Sequence, residues 1–98
     1  MLPPDIERRV RSEAKEDAEE FIRRLSAFAI EYPDFGDRVL RCVVYSARGK
    51  LDHLESAMAL ARLDPRDAIV AAEYDSRPGT TPRQQDLVQI RDMNLPFE

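Results

Sequence analysis

The chain has 98 residues, of which 43% are hydrophobic and 35% charged, and these proportions predict one globular domain rather than a disordered chain. The net charge of −4 argues against general nucleic-acid binding, because basic side chains that neutralise phosphates supply much of the affinity of duplex-binding proteins. Cys42 is the only cysteine, which excludes an internal disulfide, and neither a signal peptide nor a bilayer-spanning apolar run is visible, so we expect a cytoplasmic protein.

The first predicted element is an amphipathic helix from Asp5 to Glu31, opened by Pro3 and Pro4 and ended by Pro33. Apolar residues recur along it in steps of three and four: Ile6, Val10, Ala14, Ala18, Phe21, Leu25, Phe28 and Tyr32. Four acid-before-base pairs at a spacing of four are expected to form salt bridges on its solvated face: Asp5–Arg9, Glu7–Arg11, Glu19–Arg23 and Glu20–Arg24.

The length of this helix conflicts with the size of the chain. At 1.5 Å per residue it would run roughly 40 Å, whereas a compact domain of this length is roughly 30–35 Å across. Residues 1–20 would therefore project, bend back or pack on a partner. The apolar stripe is thin in this half, so we predict an interaction surface that favours a homodimer, formed by Ile6, Val10, Ala14, Ala18 and Phe21.

Three short helices are predicted next, with tight turns between them. The first, residues 35–48, is apolar on nearly all sides and should be central, with Asp34 and Asp37 at its start and Gly49 at its end. The second spans residues 51–63. The third begins at an Asp64 cap followed by Pro65 in the first helical position.

Residues 76–98 are predicted to be a loop and a docking tail. The capping-box pattern of residues 81–84 predicts a last short helix that ends near Asp92, although residues 86–91 are also compatible with a short strand. Leu95, Pro96 and Phe97 predict an extended tail that docks an apolar side chain. The predicted fold is thus all-α, with a long N-terminal helix, three to four short helices in a compact bundle and an extended C-terminal tail, in a single domain over residues 1–98.

A resemblance is carried by four segments of this sequence, which are residues 38–45, 49–52, 61–74 and 90–97, so that it covers roughly residues 35–97. These segments resemble a group of small uncharacterised bacterial helical proteins of unknown function. It implies a bacterial source and a standalone helical protein, and it implies no activity and no functional residues.

We predict no catalytic, cofactor-binding or metal site from the sequence. His53 is the only histidine, and it forms no compact ligand set with Asp52 and Glu55, so it predicts a surface or boundary position. Cys42 lies in the apolar helix and is predicted to be buried and unreactive rather than a thiolate paired with His53.

The charged residues have structural explanations. Four aspartates are interpreted as helix caps or first-turn charges rather than as acid–base pairs: Asp34, Asp37, Asp64 and Asp67. Five arginines alternate with acidic residues and are interpreted as a salt-bridged face rather than a phosphate site: Arg8, Arg9, Arg11, Arg23 and Arg24.

The leading functional hypothesis is a non-enzymatic protein-interaction or regulatory module that binds a protein partner or itself. The alternatives are a nucleic-acid-associated regulator, of the antitoxin-like or helix-turn-helix kind, and an enzyme with an unrecognised site. A continuous basic stripe would favour nucleic acid, and a mixed surface with an apolar groove would favour a protein partner. A deep pocket that converges on Cys42, His53 or Tyr45 would favour an enzyme.

Overall fold

The computed structural model describes residues 2–76, 87–89 and 91–97, and it confirms the predicted all-α architecture. Over these residues the helices and strands are α1 (Pro4–Ala14), α2 (Ala18–Glu31), α3 (Gly36–Ala47), α4 (Leu51–Leu63), α5 (Pro65–Glu73), β1 (Tyr74–Ser76) and β2 (Leu87–Gln89). Single 3-10 turns at Lys15–Asp17 and Pro33–Phe35 join the first three helices. Within the described ranges, no helix combines the length and the apolar character that crossing a membrane requires.

The long N-terminal helical region bends back on itself at the 3-10 turn. Lys15 has φ of 51° and ψ of −107°, a conformation that interrupts α-helical hydrogen bonding. Arg11 of α1 bonds Glu19 of α2 across the turn at 2.6 Å. At the other end, Leu2 and Pro3 line the same surface cavity as Ser26, Ala29 and Ile30 of α2. Helices α1 and α2 are therefore antiparallel neighbours, which removes the conflict between helix length and domain size.

The bend corrects the predicted interaction surface. The side chains assigned to it all lie in the core of a single chain, with exposed fractions of 0–7%: Ile6, Val10, Ala14, Ala18 and Phe21. These side chains belong to one core cluster with residues of α3 to α5, and they leave almost no surface to a second chain.

Helix α3 is the centre of the bundle, as its apolar pattern predicts. Seven of its residues are buried: Val39, Leu40, Arg41, Cys42, Val43, Val44 and Ala47. Its predicted end is also confirmed, because Arg48 and Gly49 both adopt positive φ after the last helical turn. Neither Asp34 nor Asp37 caps α3 with its side chain. Asp37 lies in the first turn of α3, as expected for a first-turn charge, and Asp34 lies in the preceding 3-10 turn.

The turn after α3 holds α1 in place. A Cβ atom on Gly49 would lie 2.4 Å from the carbonyl oxygen of Glu13, so the backbones of these two residues touch. Asp5, near the other end of α1, bonds Arg41 in the middle of α3. Helix α1 therefore runs alongside α3 in the same direction, and Gly49 is needed both for its positive φ and for this close approach.

Helices α4 and α5 follow the predicted boundaries. Asp64 caps α5 by accepting a hydrogen bond from the backbone N–H of Arg66 at 3.0 Å, as expected from the Asp-Pro pair. Of the four predicted surface pairs, Glu7–Arg11 and Glu20–Arg24 form. The other two predicted pairs are replaced: Asp5 binds Arg41, Arg9 binds Glu13, Arg23 binds Glu20 and Glu19 binds Arg11.

The described part of the C-terminal region contains a small antiparallel sheet, in which residues 87–89 form a strand rather than part of the preferred last helix. β1 pairs with β2 in a register that joins Tyr74 to Gln89 and Ser76 to Leu87. The strand alternative is therefore correct for residues 87–89, and a helix continuing to Asp92 is wrong. The predicted capping box at residues 81–84 lies outside the described residues.

Candidate functional site

A surface cleft lies between α3, α4 and α5. It encloses about 240 Å³, and most of its lining is apolar. Five apolar residues form its walls: Val43, Ala57, Leu60, Ala68 and Ala71. Three polar residues and Cys42 complete the lining: Ser46, His53 and Ser56. This is an apolar groove with a few hydrogen-bonding groups, the general composition of a recognition site.

The cleft exists because small side chains meet where three helices converge. Ser46 precedes the tight turn after α3, while Ser56 and Ala57 follow it on α4. On α5, Ala68 and Ala71 face the same space, where a larger side chain would fill it. Ala71 and His53 are exposed, and Ala57 and Leu60 are half-buried. The space is therefore open to solvent and accessible to a bound group.

Cys42 contributes its buried side chain to the cleft but not a reactive thiolate. Its side chain has no exposed surface, and its Sγ donates to Glu73 Oε2 at 3.8 Å. Burial, followed by the negative charge of Glu73, raises the pKa of the thiol to about 12. The predicted burial of Cys42 is confirmed, and the thiol stays protonated near neutral pH.

His53 is exposed on α4, as predicted. His53 lines the same cleft as Cys42, and a pocket shared by these two residues is the arrangement that would favour an enzyme. The Cys42 thiol, however, is protonated and donates its hydrogen bond to Glu73. Among the described residues, no group of three or more His, Cys, Asp and Glu side chains is arranged to hold a metal ion.

A buried carboxylate that the sequence reasoning missed organises the other side of α5. Glu73 has no exposed surface and forms a two-point ion pair with Arg38, in which Nε and Nη2 each donate at 2.7 Å. It also accepts from the Gln89 side chain at 2.7 Å and from the Met93 backbone N–H at 3.2 Å. The Arg38 guanidinium, assisted by these other donors, lowers the pKa of Glu73 to about 2.

A second buried ion pair lies one turn further along α3. Arg41 donates to both carboxylate oxygens of Asp5, at 2.9 and 3.3 Å, and both residues are buried. Arg41 also donates to the backbone carbonyls of Met93 and Asn94. Asp5 accepts the backbone N–H of Phe97 at 3.0 Å, and its pKa is lowered chiefly by Arg41. Two arginines of α3 thus bind two carboxylates and the C-terminal segment together.

The C-terminal tail packs on the helices through Phe97, which belongs to the Leu-Pro-Phe pattern, and through Met93, which lies before it. Met93 is buried at 3% exposure and Phe97 is partly buried against the core, whereas Leu95 is 63% exposed. The Arg9 guanidinium lies 4.8 Å from the centroid of the Phe97 ring, and that of Arg91 lies 4.3 Å from the Tyr45 ring. No local pattern identifies Met93, because its partners come from α3 and α5.

Four of the five arginines assigned to a salt-bridged face form ion pairs: Arg9, Arg11, Arg23 and Arg24. Arg11 contacts Glu7 and Glu19, and Arg23 and Arg24 share Glu20. On α5 the one basic side chain, Arg66, is paired with Asp64 at 3.0 Å. The described surface is therefore of mixed charge along these helices.

Comparison of the chain with profiles of known protein families, with curated proteins and with solved structures gave no match. The resemblance of residues 35–97 to small bacterial helical proteins therefore stays a prediction, and functional reasoning rests on the geometry of the chain itself.

Proposed function

We propose that this chain is a non-enzymatic protein-interaction module, and that its partner inserts an apolar side chain into the cleft between α3, α4 and α5. The observation that carries the proposal is the cleft itself: about 240 Å³, lined mainly by apolar groups and open at half-exposed alanine and leucine side chains. Protein interfaces concentrate their binding energy where an apolar or aromatic anchor enters such a pocket.

The polar groups of the cleft suit a protein partner as well. Ser46, Ser56 and His53 lie in its lining, so a partner backbone beside the inserted side chain would find hydrogen-bond donors and acceptors. Polar groups around a dry centre are the usual arrangement of a protein interface. A partner segment with one bulky apolar residue and polar neighbours fits this arrangement.

The two alternative functions have less support. A helix-turn-helix reader would present α5, whose one basic side chain, Arg66, is exposed but paired with the Asp64 carboxylate, so that the helix offers no surplus of positive charge to phosphates. An enzyme built on Cys42 would need a thiolate, and a pKa of about 12 disfavours one at neutral pH. We also propose that the protein acts in a bacterial cytoplasm, where its one buried thiol would remain reduced.

The test uses two alanine-to-arginine variants matched in helix propensity and charge. Ala71 is exposed and lines the cleft, whereas Ala59 is exposed on α4 outside it. Full-length wild type, Ala71→Arg and Ala59→Arg are used to capture partners from the native cell extract, with quantification by mass spectrometry. We expect a protein captured by wild type and Ala59→Arg to be lost with Ala71→Arg. Equal capture by the wild type and both variants would refute the cleft as the binding surface.

Self-association through the same cleft is tested separately. Sedimentation velocity over a range of concentrations would show whether the partner is a second copy. In that case, wild type and Ala59→Arg would form dimers, and Ala71→Arg would stay monomeric. Dimers in all three proteins would place the self-association elsewhere on the chain.

A further inference from the structure

We propose that the C-terminal strap, defined as residues 91–97, is a latch that opens as a unit without unfolding of the helices, and that its closure holds the α5 wall of the cleft. The second half of this statement rests on the proposed function. The first half concerns the chain alone and stands without a partner.

The strap is attached mainly through charge-assisted hydrogen bonds. Both backbone polar groups of Met93 are bonded: its N–H donates to the Glu73 carboxylate, and its carbonyl accepts from the Arg41 guanidinium. The Phe97 N–H donates to Asp5. Glu73 and Asp5 are in turn bound by arginines three residues apart on α3, so the attachment points lie on successive turns of one helix. Breaking one attachment therefore weakens the neighbouring ones.

The one buried apolar side chain of the strap, Met93, lies outside the main core cluster. Met93 packs with Cys42 and Ala72 in a small cluster of its own, while the main cluster consists of residues from α1 to α5 and Leu2. Phe97 is partly buried and packs against both clusters. Opening the strap would thus expose little of the main core. Segments with few buried apolar contacts open locally at a lower free energy than the whole domain.

Helix α5 connects the strap to the cleft. Ala68 and Ala71 line the cleft. Ala72, on the same helix face as Ala68, packs with Met93 of the strap, and the Glu73 carboxylate accepts the Met93 N–H. The Glu73 carbonyl also accepts the Arg91 N–H at 3.2 Å, and Cys42 belongs to both the cleft and the strap cluster. Release of the strap removes these contacts from the end of α5. Because α5 forms one wall of the cleft, the width of the cleft then becomes less tightly fixed.

The experiment measures strap opening in the full-length protein by amide hydrogen exchange and by Cys42 labelling. The Phe97 amide reports the strap, the Ala71 amide reports the cleft wall and the Leu25 amide reports the main core. Met93→Ala removes the buried strap side chain, and Leu95→Ala is the matched control because Leu95 is 63% exposed in the same segment. Labelling of Cys42 by an aromatic disulfide reagent reports removal of the cover that Met93 provides.

We expect Met93→Ala to speed Phe97 exchange and Cys42 labelling tenfold or more, to speed Ala71 exchange by a smaller factor and to leave Leu25 exchange unchanged. Leu95→Ala should change none of these rates. If Phe97 and Leu25 accelerate by the same factor, the strap opens only with the whole domain and the latch is refuted. If Phe97 responds and Ala71 does not, the coupling to the cleft is refuted. Neither result bears on partner capture by the Ala71 and Ala59 variants, so the two proposals fail separately.

Discussion

The bend at Lys15 can be tested by whether a single substitution, Lys15→Gly, raises or lowers the free energy of unfolding. Lys15 is a non-glycine residue at φ of 51°, and positive φ costs a residue with a Cβ atom about 1–2 kcal/mol. Replacement by glycine removes that cost but adds about 0.5–1 kcal/mol of backbone entropy lost on folding. Lys15→Gly should therefore raise the free energy of unfolding by about 0.5–1 kcal/mol.

A continuous helix would give the opposite result. Glycine in the interior of a regular helix destabilises it by about 1 kcal/mol relative to alanine. The two structures thus differ by about 1.5–2 kcal/mol in their response, and the signs are opposite. Because the strain at position 15 is the same for lysine and alanine, Lys15→Ala should leave the stability nearly unchanged.

Urea unfolding followed by circular dichroism is a suitable assay. Lys15→Gly should move the midpoint upward by roughly 0.3–0.7 M relative to Lys15→Ala, given the usual dependence of stability on urea. The control pair is Arg8→Gly and Arg8→Ala, at an exposed position inside α1, where glycine should be the less stable variant. A lower midpoint for Lys15→Gly than for Lys15→Ala would refute the bend and restore a straight, projecting helix.

Four further predictions concern stability and are checked by urea midpoints unless stated otherwise. Glu73→Gln should lower the free energy of unfolding by about 3–5 kcal/mol, because every described partner of this buried carboxylate is a donor and the new amide would turn its own N–H groups toward those donors. A decrease of less than about 1 kcal/mol would contradict the network. The pKa of Glu73 in the folded protein is about 2, below its ordinary value of 4.5. The charge of Glu73 therefore stabilises the fold fully above pH 4.5, and this stabilisation is lost as the pH falls toward 2. Exchange of the Phe97 amide, measured over this pH range, should accelerate as the strap is released. Gly49→Ala should cost about 2–4 kcal/mol through its positive φ and its clash with Glu13, and a neutral outcome would mean that α1 does not dock there. Asp64→Ala should cost about 0.5–2 kcal/mol through loss of the α5 cap, and Asp52→Ala, on an exposed face, should cost less; the reverse order would move the helix boundary.

Much of the helical fold was predictable because its signals are local. Gly49 and the Asp64–Pro65 pair define helix ends through backbone conformation and capping, which depend on neighbouring residues alone. The bend was not predictable in the same way, because Lys15 carries no preference for positive φ. The burial of the α1 stripe against α2 and α3 stabilises the bend, and that packing becomes visible only in three dimensions.

The candidate sites were less predictable than the helices. The burial of Cys42 follows from its apolar helix, but Glu73 resembles any helix-end glutamate until Arg38, Gln89 and Met93 are brought to it from three separate segments. The cleft depends likewise on which faces of α3, α4 and α5 converge. A stripe of alanines has the same appearance in sequence whether it allows close packing, as at Ala14, or leaves an open space, as at Ala71.

The most direct test of the proposed function is a footprint of the bound partner on this chain. Amide hydrogen exchange of the full-length protein would be measured with and without the partner that the wild-type chain captures. We predict slower exchange at the cleft, in the segments that contain Ser56, Ala57 and Ala71, and unchanged exchange on the salt-bridged face near Arg11 and Arg23. Protection of the salt-bridged face, with the cleft unchanged, would contradict the account.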